Sequence, residues 1–174
     1  YDLVTGVLSG ALPIFGIRCG PRCQSGNGSH AHQDQLAVEL VVGGHDFALD
    51  PGTYLYTALP KRRNEYRAAA AHFAPRIAGM EFGNLKEIFA LADTSRAECL
   101  YFGPRGFIGT HNGYGTPVYR VVAFENEHIE IRDYAESRML EVCRFSDVAG
   151  VSSHYLGPPY SAGYGWRLRT PIKT

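Results

Sequence analysis

The feature that most restricts the fold of this chain is a series of short apolar or alternating segments separated by turn residues. In one of them, Ile129 and Ile131 alternate with Glu130 and Arg132, which places apolar and polar side chains on opposite faces of a strand. A Gly-Gly-His-Asp turn joins two others as a tight hairpin. We predict strands over Leu36–Val42, Asp46–Leu49, Leu85–Ala92, Ala97–Phe102, Val118–Phe124, Ile129–Tyr134, Leu140–Phe145 and Tyr164–Arg169.

A helical pattern occurs in one place, residues 62–73, between Pro60 and Pro75. The 20 glycines and 10 prolines supply many turns, and no repeat or linker divides the chain. We therefore predict a single all-β domain over residues 1–174, a large antiparallel β-sandwich with one short helical excursion.

Charge and cysteine content exclude several classes of protein. Lys and Arg number 17, as do Asp and Glu, so we expect no general attraction to nucleic acid. The longest apolar runs are too short to span a bilayer. Cys19 and Cys23 are separated by three residues, unlike the two of a redox or zinc-knuckle pair, and their pairing stays open.

Histidines and aspartates near the predicted hairpin indicate a polar site. His30 and His32 alternate at the start of the first hairpin strand, and Asp50 follows the return strand, so the hairpin brings Asp50 toward them. His72 is able to return from the helical excursion as another ligand. Two interpretations remain: a metal site, or a structural cluster in which the imidazoles are hydrogen-bonded to Asp34 and Asp50.

The same segments carry a family resemblance. GSHAHQDQLAVELVVGGHDFALDPGTYLYT and RNEYRAAAAHFAPRIAG resemble the C-terminal β-sandwich region of the heparinase II/III-like family. The family pattern H-x-H-x-D-x-L, Gly turn, D-P-G-T-Y-x-Y, R-N-x-x-R and a further His is matched in order by His30, His32, Asp34, Leu36, Asp50 to Tyr54, Tyr56, Arg63, Asn64, Arg67 and His72. Phe73 stands where the family usually has Asn, and alanines replace the usual Ser-Thr before His72.

The resemblance implies a supersandwich-like module of a polysaccharide lyase. Family members act on uronic-acid-containing chains such as heparan sulfate or alginate, and they pair an N-terminal α/α toroid with this sandwich. This chain has no long run of amphipathic helices. We therefore expect the C-terminal part of a longer lyase, inactive alone, with an acidic polysaccharide and the toroid as partners and a periplasmic or secreted location. The alternative is a non-catalytic carbohydrate-binding or scaffolding sandwich domain.

The resemblance also implies roles for individual residues. His30 is the catalytic imidazole in the cleft, while His32, Asp50 and His72 hold one structural zinc per chain. Since His32 is nearer the strand and His30 nearer the glycines, we expect His32 to be the deeper of the two.

Four further side chains are candidates for substrate binding. Tyr54 and Tyr56 either line the sugar groove or pack with a satisfied hydroxyl. Arg63 and Arg67 either bind sulfate or carboxylate groups or form surface ion pairs, for instance with Glu65. We expect His111 to be a loop residue near the cleft.

Overall fold

The computed structural model describes residues 3–7, 14–22, 27–42, 45–125, 129–136, 140–141, 161 and 164–165. Within these residues strands dominate. They are β1 Leu3–Val7, β2 Ile14–Arg18, β3 Val38–Val42, β4 His45–Ala48, β5 Arg76–Ile77, β6 Glu98–Gly103, β7 Gly106–His111, β8 Val118–Phe124, β9 Ile129–Ala135 and β10 Leu140–Glu141. An α-helix, α1 Pro60–Arg67, precedes a 3-10 turn at Ala69–Ala71.

The strands form two antiparallel sheets in which consecutive strands are neighbours. The first sheet has the order β1-β2-β3-β4 and the second the order β6-β7-β8-β9, while β5 pairs with β10. Short turns explain the β3–β4 and β6–β7 pairs, because an antiparallel strand returns directly beside its predecessor, whereas residues 19–37 separate β2 from β3. The predicted all-β sandwich with one short helix is confirmed.

The core lies between the two sheets. Phe15 and Val38 of the first sheet share one buried cluster with Phe107 and Val122 of the second. The ring of Phe15 meets that of Phe124 edge to face, with centroids 5.1 Å apart, an arrangement that aromatic quadrupoles favour. Burial of alternate residues on β2 and β8 shows that one face of each strand supplies this core.

The helix begins and ends where its sequence allows. Pro60 occupies the first turn, where a missing N–H costs nothing, and Ala68 leaves the helical conformation. The buried residues Arg63, Tyr66 and Arg67 lie on one face. The predicted helical stretch is therefore correctly located, but its second half is a 3-10 turn.

Three strand predictions need correction or lie outside the described residues. Residues 85–92 form no strand; their carbonyls accept hydrogen bonds from side chains of α1 instead of a neighbouring strand. Tyr164 lies in a turn, and residues 166–169 lie outside the described part of the chain, as do residues 142–145.

Strands β1, β2, β5 and β7 were not predicted. Gly16 and Gly109 interrupt the apolar pattern of β2 and β7. In β7 the glycine is required by packing, because a Cβ at Gly109 would stand 2.4 Å from the ring of Phe107. Among the described residues, no helix has the length and apolar character needed to cross a membrane.

Candidate functional site

The segment that carries the first two histidines is irregular and not extended. Leu36 adopts a left-handed conformation with φ of 59°, and β3 begins two residues later. Backbone hydrogen bonds hold the segment from both sides: Gln33 N–H donates to the Arg67 carbonyl, and Leu36 N–H donates to the Arg18 carbonyl. The predicted position of His30 and His32 at the start of the first hairpin strand is therefore wrong. Their predicted difference in depth is confirmed, since His32 is buried and His30 is exposed.

Three predicted ligands converge at the end of the β3–β4 hairpin. One donor atom each from His32, Asp50 and His72 lies within 4.8 Å of the other two. Asp50 comes two residues after β4, and His72 directly follows the 3-10 turn. The excursion returns to the hairpin because Val38 N–H donates to the Phe73 carbonyl at 3.1 Å. His30 is not a member of this cluster.

Hydrogen bonds fix the orientation of Asp50 and His72. His72 Nδ1 lies 2.7 Å from Asp50 Oδ2, while Asp50 Oδ1 accepts from Gly52 N–H at 2.8 Å. The ring of His32 lies 5.2 Å from that of His72, and its Nε2 is 3.5 Å from Thr53 Oγ1. Asp34 lies 3.9 Å from the guanidinium of Arg18, and its negative charge helps to raise the pKa of His72.

The three ionisable groups have different charge states. Burial, and after it the charge of His72, lower the pKa of His32 to about 3. Burial also opposes the charged form of His72, but the hydrogen bond and negative charge of Asp50 outweigh it and raise the pKa of His72. Burial would raise the pKa of Asp50, but the hydrogen bond from His72 lowers it. The site at neutral pH therefore holds a carboxylate and a neutral imidazole, both competent metal ligands.

The donor set fits a divalent transition metal. Two imidazoles and one carboxylate are ligands that zinc uses. His72 Nε2 is buried and, among the described residues, has no hydrogen-bond partner. An unpaired buried polar nitrogen costs about 1–3 kcal/mol. His32, Asp50 and His72 would hold such an ion.

A buried arginine of the second sheet connects both halves of this site. Arg120 donates to the carbonyls of Leu36 and Phe73, and it forms two hydrogen bonds of 2.8 and 2.7 Å with Asp133 on β9. Its position between Val118 and Val122 on the buried face of β8 is the sequence signal that marks it. The sequence analysis did not single it out.

Arg63 and Arg67 lie inside the molecule. Both are 0% exposed. Arg63 donates to the carbonyls of Ile88 and Ser29, and Arg67 to those of Glu87, Ile88 and Ala90. The interpretation as surface ion pairs is therefore wrong for these side chains, and their binding of sulfate or carboxylate groups stays a prediction. The surface ion pair of Glu65 is with Arg62, at 2.7 Å.

The R-N-x-x-R motif of Arg63, Asn64 and Arg67 instead holds a loop in place by hydrogen bonds. Asn64 Nδ2 donates to the Leu85 carbonyl at 2.8 Å, so all three polar side chains of the motif bind backbone oxygens between residues 85 and 90. The motif thus holds residues 85–90 against α1.

His30 lies beside aromatic rings. Its ring is 5.4 Å from that of Tyr56 and 6.2 Å from that of Phe89. Tyr54 differs from Tyr56: with φ of 60° it packs its ring 5.3 Å from that of Tyr66. Tyr56 is thus the tyrosine that shares a surface with His30.

His111 is not a loop residue. It ends β7 and is 0% exposed. Its ring lies 4.9 Å from that of Phe82, and its Nδ1 accepts from Gly113 N–H at 3.1 Å. The expectation that it lies in a loop near the cleft is wrong.

Comparison with known proteins agrees with this architecture. The model of the family described as heparinase II/III-like, C-terminal, matches residues 15–139. A solved structure described as a heparinase III gene product with methylated lysines superposes with a TM-score of 0.55 at 14% identity, over 76% of this chain and 22% of that one. The chain thus spans about a fifth of that protein, and the likeness concerns the fold. No curated protein matches the chain. Because the family model covers most of the residues, the chain belongs to the heparinase II/III-like family and carries its C-terminal domain.

Proposed function

We propose that this chain is the β-sandwich module of a polysaccharide lyase that cleaves uronic-acid-containing polysaccharide by β-elimination. The observation that carries the proposal is the convergence of His32, Asp50 and His72 within 4.8 Å, with the exposed His30 two residues from the first ligand. Residues 1–174 are then one domain, the C-terminal part of a longer protein. A periplasmic or secreted location belongs to the same proposal, because acidic polysaccharides of this kind lie outside the cell.

The metal site has a structural role in this proposal. A bound zinc would supply a fixed link between three segments that are far apart in sequence. Asp50 orients His72, and Gly52 N–H orients Asp50. His32 Nε2 lies near Thr53, at the start of the segment that leads to Tyr56. The ligands thereby fix the backbone on both sides of His30 and shape the wall of the cleft.

The reaction requires groups that this domain supplies only in part. Elimination removes the proton next to the uronate carboxylate and expels the substituent at O4. A neutral donor beside the carboxylate stabilises the developing enediolate, and a base takes the proton. We assign His30 to the first kind of task, as an imidazole that contacts the substrate. The tyrosine that exchanges the proton belongs to the N-terminal toroid, the proposed partner.

The test compares the chain alone with a form that carries a toroid. On alginate and heparan sulfate, the chain alone should produce no unsaturated product by ultraviolet absorbance. The toroid-bearing form should produce it on one of these substrates. Product from the chain alone would show that the site is self-contained and that the assignment of half a site is wrong.

A second candidate function is non-catalytic carbohydrate binding. The exposed rings of Phe89 and Tyr164 favour it, because such rings suit the apolar faces of sugars. A toroid-bearing form that binds polysaccharide without cleaving it would support this function over the lyase.

A further inference from the structure

A set of stacked aromatic rings extends from His30 across the surface. We call Tyr56, Phe89 and Tyr164 the aromatic platform. Tyr56 is stacked between the other two, with centroids 6.2 Å from Phe89 and 5.8 Å from Tyr164 and interplanar angles of 21° and 18°. Phe89 is 43% exposed and Tyr164 is 60% exposed. The three rings come from distant segments, so the platform depends on the tertiary fold.

The platform is built into the molecule on both sides of Tyr56. The segment before it is tied to Ser161 and Gly165, because Ser161 N–H donates to the Pro51 carbonyl and Gly165 N–H donates to the Tyr54 carbonyl. On the other side, the carbonyl of Ile88, next to Phe89, accepts hydrogen bonds from Arg63 and Arg67. Hydrogen bonds of the neighbouring residues therefore position Phe89 and Tyr164, both of which are exposed.

One buried positive charge, that of Arg63, lies against the rings, and that of Arg67 is close to it, since both side chains donate to the Ile88 carbonyl. Arg63 Cζ is 4.7 Å from the centroid of Tyr56 and 5.2 Å from that of Phe89. Among the described residues, no carboxylate lies within ion-pair distance of Arg63 or Arg67. Arg63 Nη1 is buried and has no hydrogen-bond partner there. Burial and the charges of Arg63 and Arg22 lower the pKa of Arg67 to about 10, which leaves it positive at neutral pH.

The exposed rings and the buried guanidinium groups together indicate the chemistry of the ligand. Backbone carbonyls solvate the two guanidinium groups, but they do not neutralise them, and buried charges usually have a counter-charge. An anion near the platform would supply it. The rings require in addition a flat apolar face, which the C–H groups of a pyranose provide. A sugar ring with a carboxylate or sulfate group meets both requirements.

We propose that the aromatic platform is a stacking subsite for a pyranose ring of an acidic polysaccharide, next to the sugar that contacts His30, and that Phe89 is its principal contact. The position of the neighbouring sugar rests on the proposed function. The stacking itself does not, because it depends on the platform and on the arginines behind it. In a lyase the subsite would determine which part of the chain reaches His30.

The experiment measures binding of short saccharides to the chain by titration calorimetry. The acidic probes are hexasaccharides of alginate and of heparan sulfate, and the neutral probe is cellohexaose. The variants are Phe89→Ala, the conservative Phe89→Tyr, and the control Phe102→Ala. Phe102 is similarly exposed, at 38%, but lies on β6 of the second sheet. Thermal unfolding of each variant verifies the fold.

The expected result is binding of an acidic hexasaccharide that Phe89→Ala weakens about tenfold, with Phe89→Tyr and Phe102→Ala close to the parent. Added salt should weaken acidic binding, and cellohexaose should bind less tightly. The proposal is overturned if no acidic probe binds, if cellohexaose binds equally well, or if Phe89→Ala binds like Phe102→Ala.

The outcome also separates this inference from the proposed function. If a toroid-bearing form shows no elimination activity but its saccharide binding depends on Phe89, the lyase proposal is overturned and the subsite proposal stands. If elimination depends on His30 but saccharide binding is unaffected by Phe89→Ala, the lyase proposal stands and the subsite proposal is overturned.

Discussion

Single residues determine whether this site accepts a metal, because each ligand must offer a lone pair. His32 already does so at neutral pH, since burial keeps its pKa near 3. His72 is held by Asp50 through a hydrogen bond of 2.7 Å. A cation then competes with the proton that these two groups share.

The first prediction separates His32 from His30. His32→Ala should abolish zinc binding and destabilise the fold by a few kcal/mol, because metal affinity couples to folding. His30→Ala should leave zinc content and melting temperature close to those of the parent, since His30 is exposed and outside the ligand cluster. Elemental analysis and thermal unfolding, each with and without chelator, provide the measurement. Equal zinc loss in both variants would make His30 a ligand.

The second prediction concerns His111 and acid. Burial, with the charge of Arg120 next, lowers the pKa of His111 to about 4, against a usual value of 6.5. The unfolded chain therefore binds a proton that the folded chain rejects between these values. Stability from the neutral ring is complete above pH 6.5 and decreases as the pH falls toward 4.

His111→Asn should remove the group that binds this proton. The Asn side-chain oxygen still offers an acceptor for Gly113 N–H. As the pH falls from 6.5 to 4, the free energy of unfolding should fall more steeply for the parent than for the variant. The difference between the two slopes should reach up to about 1.4 kcal/mol per pH unit. Denaturant unfolding at several pH values is the measurement. Parallel slopes for both proteins would mean that folding does not suppress protonation of His111.

The metal ligands could be predicted from sequence because a hairpin and a family pattern both brought them together. The arginines could not. Arg63 and Arg67 are charged residues on a short helix, and such residues are usually solvated. Their burial depends on the carbonyls of residues 85–90, which are 20 or more positions away in the chain, a contact that no local pattern contains.

At the scale of elements, Arg120 and Asp133 connect the second sheet to the site. They are direct partners in the β8–β9 register, and the same guanidinium reaches the segments that precede β3 and follow His72. The pair therefore couples the geometry of the ligands to the packing of both sheets.

The third prediction tests this connection with two variants of β9. Asp133→Asn should lower the free energy of unfolding by about 3–5 kcal/mol, because it leaves the buried charge of Arg120 without its counter-charge. It should also weaken zinc binding. Glu130→Gln removes an exposed carboxylate from the same strand, paired with Arg132, and should change stability by less than about 0.5 kcal/mol. Similar effects of the two variants on denaturant unfolding and zinc titration would contradict the connection.

Individual strands differ in how well the sequence predicts them. The bounds of β8 are those predicted, because a run rich in branched and aromatic side chains begins after Pro117 and ends before Glu125. Residues 85–92 have apolar side chains at several positions, but among them Leu91 alone is buried. Side-chain donors of α1 satisfy the carbonyls there, so the segment needs no partner strand.

At the scale of the whole molecule, two sheets enclose the core and present the ligand cluster and the aromatic platform on connecting segments. This division is common, because a rigid sandwich positions loops that carry function. The fold class follows from the sequence since many short apolar segments leave few other ways to bury one face of each strand. The platform does not follow, because it combines rings from three distant segments.

The central claim is that this domain supplies a substrate-contacting imidazole to a polysaccharide lyase. The most direct measurement is the rate of unsaturated-product formation by a toroid-bearing form in which His30 is replaced by Ala. We expect the rate to fall by about 10²–10³-fold, the usual contribution of one donor that stabilises the developing negative charge, with zinc content unchanged. An unchanged rate would contradict the claim and leave His30 without a catalytic role.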